Sequence, residues 1–394
     1  MNYPCGIRAL RFESDNPNKS DVSAFGSSCA EKTLAFHKSF PEYSVTPLAK
    51  LENLARELKV GGIYVKDESY RFGLNAFKVL GGSYAIGCYI ASHLGMEEMS
   101  FDSLVSEETK AKLGGITFVT ATDGNHGRGV AWTANRLGQK SVVYMPKGTA
   151  KERLDNILAL GSDASITDMV YDDAVRLSQK MAEEKGWVVV QDTSWDGYEE
   201  IPHKIMEGYV TMAAEAKEQL GEVKPTHIFL QAGVGSMAAA ICAYFVSVCG
   251  EDKPIITVLE PTTADCFYKT ALANDGALHA AEGDMNSMMA GLCCGEVCPL
   301  AWEILRDYGE FFVTVPDYVA ANGMRSLAKP LGADSAVISG ESGASTFGFV
   351  AELLSNPELA ELKKAMGIDE NSHILCFSTE GDTDRENYRR IVCG

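Results

Sequence analysis

The fold of this chain is decided by the stretch Asn75-Ala76-Phe77-Lys78-Val79-Leu80-Gly81-Gly82-Ser83-Tyr84-Ala85. Residues 62–66 just before it have the β-branched and aromatic side chains of a strand, and 67–74 has the character of a loop. Asn75 is a favoured N-cap and the apolar residues that follow recur at helical spacing, which predicts a helix with Lys78 in its first turn. The positive end of a helix disfavours an ammonium group, so a free amine capable of Schiff-base chemistry is favoured there. A lone lysine is more often simply a solvated surface residue.

Composition limits the classes of protein to which the chain can belong. Its 394 residues suffice for two domains or for one large α/β unit with an inserted lobe. The net charge of -19 argues against nucleic acid and acidic membrane surfaces as partners. No apolar run is long enough to span a bilayer, and the first residues do not form a signal-peptide pattern. We therefore expect no membrane partner.

The cysteines indicate a reducing compartment. There are 11 of them, an odd number scattered along a long chain, which does not resemble a secreted disulfide framework. We therefore expect a cytoplasmic protein. Cys293, Cys294 and Cys298 form a cluster, but paired Cys-x-x-Cys or histidine ligands at metal spacing are missing, so no metal is predicted. A redox pair between Cys266 and the doublet at 293 and 294 stays open.

Strands and helices alternate along most of the remaining chain. Apolar strands are predicted at 116–120, 141–145, 187–191, 228–230, 255–259 and 373–377. Alternating strand and helix units with apolar strands indicate parallel sheets covered on both faces by helices, and therefore an α/β fold. Glycine-rich turns follow several of these strands, at the sheet edge where open α/β folds bind ligands.

One of these turns is suited to a phosphate. Gly233-Val234-Gly235-Ser236-Met237 lies between a predicted strand and a predicted helix, where small residues let backbone N–H groups approach an anion. The turn is neither a nucleotide P-loop nor a full dinucleotide-binding fingerprint. A tight turn selected only for packing is an equally good explanation of this segment alone.

Two further turns carry polar side chains. Residues 122–129 read Thr-Asp-Gly-Asn-His-Gly-Arg-Gly and combine a carboxylate, an amide and an imidazole. Asp123 or Asn125 could merely cap the following helix. Ser378 and Thr379 end the last predicted strand, where a hydroxyl could face a ligand ring nitrogen or form a local turn.

Taken in this order, a helix-start lysine, an Asn-bearing turn, a glycine-rich loop and a terminal hydroxyl resemble the fold type II (tryptophan synthase β-like) pyridoxal-phosphate enzymes. That family includes threonine and serine dehydratases, serine racemase and threonine synthase. The resemblance extends from about residue 47 to residue 384. It implies two three-layer αβα domains with mostly parallel sheets, the large one from 1–89 and 201–394 and the small one from 90–200. It also implies a homodimer and a small-molecule amino acid as substrate.

The resemblance implies a role for each turn toward the cofactor, pyridoxal 5'-phosphate. Lys78 would form the Schiff base, the glycine-rich loop would hold the phosphate, and Asn125 would bond the ring 3-hydroxyl. Thr379, or alternatively Ser378, would meet the ring nitrogen. The cofactor-binding residues implied are Lys78, Asn125, Gly233, Val234, Gly235, Ser236, Met237, Glu341, Ser378 and Thr379.

Two departures from the dehydratases point to a diamino acid substrate. The dehydratases usually have serine before the Phe-Lys pair and before Gly-Asn-His, where this chain has Ala76 and Asp123. With segments 191–195 and 378–384, this is similar to members that convert 2,3-diaminopropionate, D and L, to pyruvate and two ammonia. The implied bases are Lys78 for the L-isomer and Asp123 for the D-isomer. Asp192, with Asp123, would keep the β-amino group protonated, although an Asx-turn is the plain alternative for Asp192.

Two other functions stay open on the sequence. A serine/threonine dehydratase or racemase would use the same scaffold. A Rossmann-like nucleotide-binding oxidoreductase or small-molecule sensor would belong to a different class, and the missing dinucleotide-binding fingerprint argues against it.

Overall fold

The computed structural model describes residues 1–122 and 124–394. The strands are β1 (Arg8–Arg11), β2 (Leu48–Lys50), β3 (Gly62–Asp67), β4 (Thr117–Ala121), β5 (Lys140–Met145), β6 (Asp163–Ile166), β7 (Val188–Val189), β8 (His227–Gln231), β9 (Ile255–Pro261), β10 (Phe311–Val315) and β11 (His373–Ser378). The helices are α1 (Ser27–Lys38), α2 (Glu52–Leu58), α3 (Val79–Leu94), α4 (Phe101–Val105), α5 (Glu107–Leu113), α6 (Asn125–Arg136), α7 (Lys151–Leu158), α8 (Tyr171–Lys185), α9 (Glu200–Leu220), α10 (Ser236–Cys249), α11 (Cys266–Ala273), α12 (Pro299–Tyr308), α13 (Asp317–Ala328), α14 (Ser345–Ser355), α15 (Ala360–Ala365) and α16 (Arg385–Cys393).

The strands form two sheets. The larger has the order β1-β10-β9-β8-β11-β3-β2, and only its edge strands β1 and β2 pair antiparallel. The smaller has the order β6-β5-β4-β7 and is parallel throughout. These sheets confirm the predicted α/β class with mostly parallel strands. The smaller sheet lies inside the small domain predicted at 90–200, whose boundaries stay a prediction.

Helices cover the larger sheet on both faces. In β3, Tyr64 packs into one hydrophobic core, while Ile63 and Val65 pack into the other. This division follows from the alternation of side chains along a strand. One core receives α3, α9 and α10, and the other receives α13 and α14. Burial on both faces explains why the inner strands β8, β9, β10 and β11 are mostly apolar.

The segment before Lys78 is tied down by buried charges. Arg71 donates to Glu68 at 2.8 Å and to Glu215 of α9 at 2.7 Å, and all three side chains are buried. Lys66 of β3 reaches the same Glu215 oxygen at 2.7 Å. Removing one partner from such a network leaves a buried charge uncompensated, which lowers the free energy of unfolding by about 3–5 kcal/mol. The network therefore anchors the turn between β3 and α3 to the longest helix of the described chain.

The start of α3 differs from the sequence-based expectation. Lys78 lies at the helix start as predicted, but it occupies the N-cap position itself, and the helix begins at Val79. The prediction of Asn75 as N-cap is wrong. Asn75 has a left-handed φ of 58°, and its side-chain amide donates to Asp382 at 3.0 Å. Asparagine tolerates this conformation better than most residues, and the remote carboxylate selects it.

Close helix packing fixes α3 in the middle of the molecule. A Cβ added at Gly208 of α9 would overlap the carbonyl oxygen of Leu80. A Cβ added at Gly129 of α6 would come within 2.8 Å of the Val79 Cα. Glycine at these positions therefore lets the neighbouring helices approach the backbone of α3, just after Lys78. In residues 1–122 and 124–394, no helix combines the length and apolar character needed to cross a membrane.

We expect Gly208→Ala to destabilise the protein by about 1–3 kcal/mol, because backbone atoms cannot move aside as a flexible side chain would. The measurement is the free energy of unfolding from urea titration. Gly115→Ala is the matched control, since a Cβ there meets nothing within 4 Å. Equal stability of the two variants would contradict the packing argument.

Candidate active site

A cavity of about 580 Å³ lies where strands of both sheets end. Turns after β4, β5 and β7 of the smaller sheet line one side, and turns after β8 and β11 of the larger sheet line the other. The carboxyl ends of parallel strands are the usual ligand-binding edge of an open α/β fold. The cavity brings together most of the predicted site residues: Lys78, Asn125, Asp192, Gly233, Val234, Gly235, Ser236, Met237, Glu341 and Thr379. The predicted base Asp123 lies outside the described residues.

Lys78 forms an ion pair with Asp192, which follows β7. The Asp192 side chain is 2% exposed, whereas that of Lys78 is 21% exposed toward the cavity. Burial alone would raise the pKa of Asp192, but the nearby charges of Lys78 and His126 outweigh it and lower the pKa to about 2. Asp192 is therefore an anion at neutral pH. The pair places a negative charge beside Lys78, in addition to the positive end of α3.

The glycine-rich loop joins β8 to α10 and forms one wall of the cavity. Gly235 has a φ of 96°, and a Cβ there would overlap the Phe267 ring. A Cβ at Gly233 would lie 3.0 Å from the carbonyl oxygen of Gly291. Glycine therefore keeps this wall as bare backbone at the first turn of α10, whose N–H groups have no partner within the helix. The Ser236 hydroxyl donates to the backbone oxygen of Asp192 and so links the loop to the ion pair.

The structure separates the two candidate hydroxyls at the end of β11. Ser378 does not line the cavity, and its hydroxyl donates to the Ser339 hydroxyl at 2.7 Å. Thr379 lines the cavity, and its oxygen lies 3.0 Å from the side-chain nitrogen of Gln231. Since that nitrogen can only donate, the Thr379 hydrogen is available to an acceptor in the cavity.

Two residues that sequence reasoning did not select also line the cavity. Gln231 is the last residue of β8, and its side-chain oxygen is buried without a hydrogen-bond partner among the described residues. Glu380 follows Thr379, and its carboxylate accepts from the Asn125 amide at 2.6 Å. A polar residue ending an apolar strand beside a glycine loop was the available signal for Gln231. No comparable signal marked Glu380.

Glu341 lies on the same wall as Glu380. The Asn387 side-chain amide donates to its carboxylate. Burial, and then the charge of Glu380, raises the pKa of Glu341 to about 7, from an ordinary value of 4.5. Near neutral pH, the Glu341 carboxyl group is therefore protonated in part of the molecules. Glu341 can serve as a hydrogen-bond donor or as an acceptor toward a ligand.

The cysteines flank the cavity. Cys293 and Cys294 line it, and the Cys266 sulfur lies 3.8 Å from the backbone oxygen of Cys294. The redox pair considered from the sequence stays a prediction. Within the described part of the chain, no group of three or more His, Cys, Asp or Glu side chains is arranged to hold a metal ion.

These groups fit a pyridoxal phosphate. A bare-backbone cradle at a helix start suits the phosphate, and a lysine amine opens into the same cavity. The Thr379 hydroxyl can donate to a ring nitrogen that remains unprotonated, and the Asn125 amide faces the cavity from the opposite sheet. The buried Gln231 beside the hydroxyl fixes its acceptor side. The groups that line the cavity are thus chemically suited to the phosphate, the aldehyde, the 3-oxygen and the ring nitrogen of the cofactor.

Comparison with known proteins agrees with this chemistry. Residues 40–366 match the family model described as pyridoxal-phosphate dependent enzyme. Over 377 residues the chain is 50% identical to diaminopropionate ammonia-lyase of Salmonella typhimurium, covering 94% of this chain and 93% of that one. The crystal structure of holo diaminopropionate ammonia lyase from Escherichia coli has a TM-score of 0.91 and 44% identity, covering 100% of this chain and 97% of that one.

A second structure of the Escherichia coli enzyme, in complex with an aminoacrylate-PLP azomethine reaction intermediate, has a TM-score of 0.90 and 43% identity. It covers 100% of this chain and 98% of that one. Pyridoxal 5'-phosphate is therefore the cofactor of this protein. The chain belongs to the pyridoxal-phosphate-dependent enzymes and, within them, to the diaminopropionate ammonia-lyase family.

Proposed function

We propose that this chain converts 2,3-diaminopropionate, as the D- or the L-isomer, to pyruvate and two ammonia. The observation that carries the proposal is the buried Asp192 carboxylate paired with Lys78 beside the glycine cradle. The resemblance to relatives named diaminopropionate ammonia-lyase supports the same reaction. Bound pyridoxal phosphate withdraws electrons from the substrate α-carbon and so acidifies its Cα–H bond.

Two different bases would remove the Cα proton, one from each isomer of the substrate. Lys78 Nζ accepts the Cα proton of the L-isomer, because its amine enters the cavity from the start of α3. Asp123 accepts the Cα proton of the D-isomer from the opposite face. This role rests on the resemblance and on the place of Asp123 two residues before Asn125 in the sequence.

Asp192 would control the leaving group. The β-amino group must depart as neutral ammonia, so it has to keep its proton until the Cβ–N bond breaks. A buried carboxylate that stays ionised stabilises a nearby ammonium. Asp192 lies beside the Lys78 amine in the cavity, where its negative charge suits a cationic β-substituent. A hydroxyl substituent offers no such charge, which is the physical difference from a serine or threonine substrate.

Thr379 would set the electronic state of the ring. Its hydroxyl donates to the ring nitrogen and leaves that nitrogen unprotonated, unlike a carboxylic acid at the same place. Less electron density is then withdrawn into the ring, which favours expulsion of the β-substituent over transfer of the amino group. Residues Asn125, Glu341 and 233–237 would bind and orient the cofactor from the other walls.

The organisation beyond the site is also part of the proposal. The large domain would comprise 1–89 and 201–394 and the small domain 90–200, supported by the smaller sheet lying within 117–189. A homodimer follows from the resemblance, and light scattering that gave the mass of one chain would contradict it. A cytoplasmic location is supported by the scattered, odd-numbered cysteines.

The yield of ammonia tests the reaction. We expect two ammonia per pyruvate from 2,3-diaminopropionate, because both nitrogens are released. A dehydratase acting on serine would release one. The control is Lys78→Ala, which should lose both turnover and the visible absorbance of the lysine-bound cofactor. A ratio of one, with serine as the better substrate, would favour the dehydratase instead.

Asp123→Asn tests the division between the two bases. An amide cannot accept the Cα proton, so turnover of the D-isomer should fall by about 100-fold or more, whereas that of the L-isomer should change little. The measurement is kcat/KM for each isomer. An equal loss on both isomers would show that Asp123 does not act on one face alone.

A further inference from the structure

Glu380 is a buried carboxylate that the reaction proposed above does not use. It is 1% exposed, lines the cavity and follows Thr379 at the end of β11. Its Oε2 accepts from the Asn125 amide at 2.6 Å and from the Thr383 hydroxyl at 3.2 Å. Its Oε1 accepts from the backbone N–H of Ser342 at 3.1 Å. Three donors thus converge on this carboxylate.

The bond to Asn125 fixes which way the Asn125 amide faces. A carboxylate offers only acceptors, so the amide nitrogen and not the amide oxygen must face Glu380. The reversed amide would bring two acceptors to a separation of 2.6 Å. The nitrogen carries two hydrogens, one of which is used by Glu380. The second remains for an acceptor in the cavity that both residues line.

Glu380 itself sits on a backbone that is held firmly. Its carbonyl oxygen accepts from the Gly340 N–H at 2.9 Å, and it forms an isolated antiparallel bridge with Ala76. Asn125 instead begins α6, which packs on the smaller sheet. The side-chain bond therefore joins the turn after the larger sheet to the turn after the smaller one.

We propose that Glu380 is a positioning residue for the cofactor, which holds the Asn125 amide with a hydrogen directed to the ring 3-oxygen. The proposal rests on the role assigned to Asn125 in the proposed function. Without Glu380, the amide is free to rotate and to present its oxygen to the 3-oxygen, which repels it. Loss of Glu380 should therefore weaken cofactor binding. It should also change the absorbance of the bound cofactor, since that absorbance responds to the hydrogen bond at the 3-oxygen.

The test uses the full-length holoenzyme and measures the dissociation constant of pyridoxal phosphate together with the visible spectrum. We expect Glu380→Ala and Asn125→Ala each to weaken binding by about five- to tenfold, the loss of one hydrogen bond. The double variant should be no weaker than either single variant, because the two residues act through one bond. Glu380→Gln keeps one acceptor oxygen for Asn125 but turns an amide nitrogen toward the Ser342 N–H, so its affinity should lie between that of the unchanged protein and that of Glu380→Ala.

Two further variants separate orientation from charge and from folding. Glu380→Asp keeps the charge but withdraws the oxygen from Asn125, so it should weaken cofactor binding as Glu380→Ala does. It replaces Glu380→Ala in the test if the alanine variant does not fold. Thr383→Val removes a different donor to the same oxygen, from a side chain outside the cavity lining, and should bind the cofactor normally.

Two results would overturn the proposal. These are effects of Glu380→Ala and Asn125→Ala that multiply in the double variant, or a Glu380→Asp variant with normal affinity. Unchanged binding and an unchanged spectrum in Asn125→Ala alone would instead remove the role assigned to Asn125. Failure of the positioning role is thereby distinguished from failure of the proposed cofactor contacts.

Discussion

A short antiparallel contact between residues 75–77 and 379–381 holds the two ends of the site at a fixed separation. Phe77 donates its backbone N–H to the carbonyl of Thr379 at 3.1 Å, and Gly381 donates to the carbonyl of Asn75 at 3.0 Å. Lys78 follows one side of this contact, and Thr379 lies on the other. Backbone hydrogen bonds therefore fix the main-chain segments that carry the groups proposed to meet the aldehyde and the ring nitrogen.

The rest of the molecule reinforces that arrangement. Buried charges tie the turn before Lys78 to α9, and glycines allow α9 and α6 to pack against the first turns of α3. The register of β11 beside β3 carries Ser378 next to Asp67, at the end of the paired region. The smaller sheet then supplies Asn125 and Asp192 from the opposite side. Side chains far apart in sequence meet because parallel strands of both sheets end at one cavity.

Features that depend on local pattern could be predicted from the sequence. The helix start near Lys78 and the loop 233–237 followed from apolar spacing and glycine content, and the α/β class followed from alternating strands and helices. The N-cap could not be predicted, because the conformation of Asn75 depends on Asp382, which is remote in sequence.

Features that depend on which atoms converge required the structure. Thr379 and Ser378 both carry a hydroxyl at the end of β11, and only their surroundings distinguish them, because Thr379 lines the cavity and Ser378 bonds to Ser339. Glu380 has no sequence signature of its own, since its significance lies in Asn125, more than two hundred residues away. The polar end of β8 marks Gln231, but not the Thr379 hydroxyl that it meets. Asp123 was selected by resemblance and stays a prediction.

The hydrogen bond from Ser236 to the backbone of Asp192 joins the phosphate cradle to the acidic partner of the lysine. Binding of the cofactor phosphate at 233–237 and the position of the Asp192 carboxylate would consequently depend on each other. On the proposed assignments, a form of the vitamin without its phosphate would leave the loop 233–237 unsupported. Through the Ser236 hydrogen bond it would also disturb the Asp192 carboxylate that is proposed to stabilise the departing amine. The phosphate would then affect the chemistry at a distance from its own binding place, beyond retaining the coenzyme.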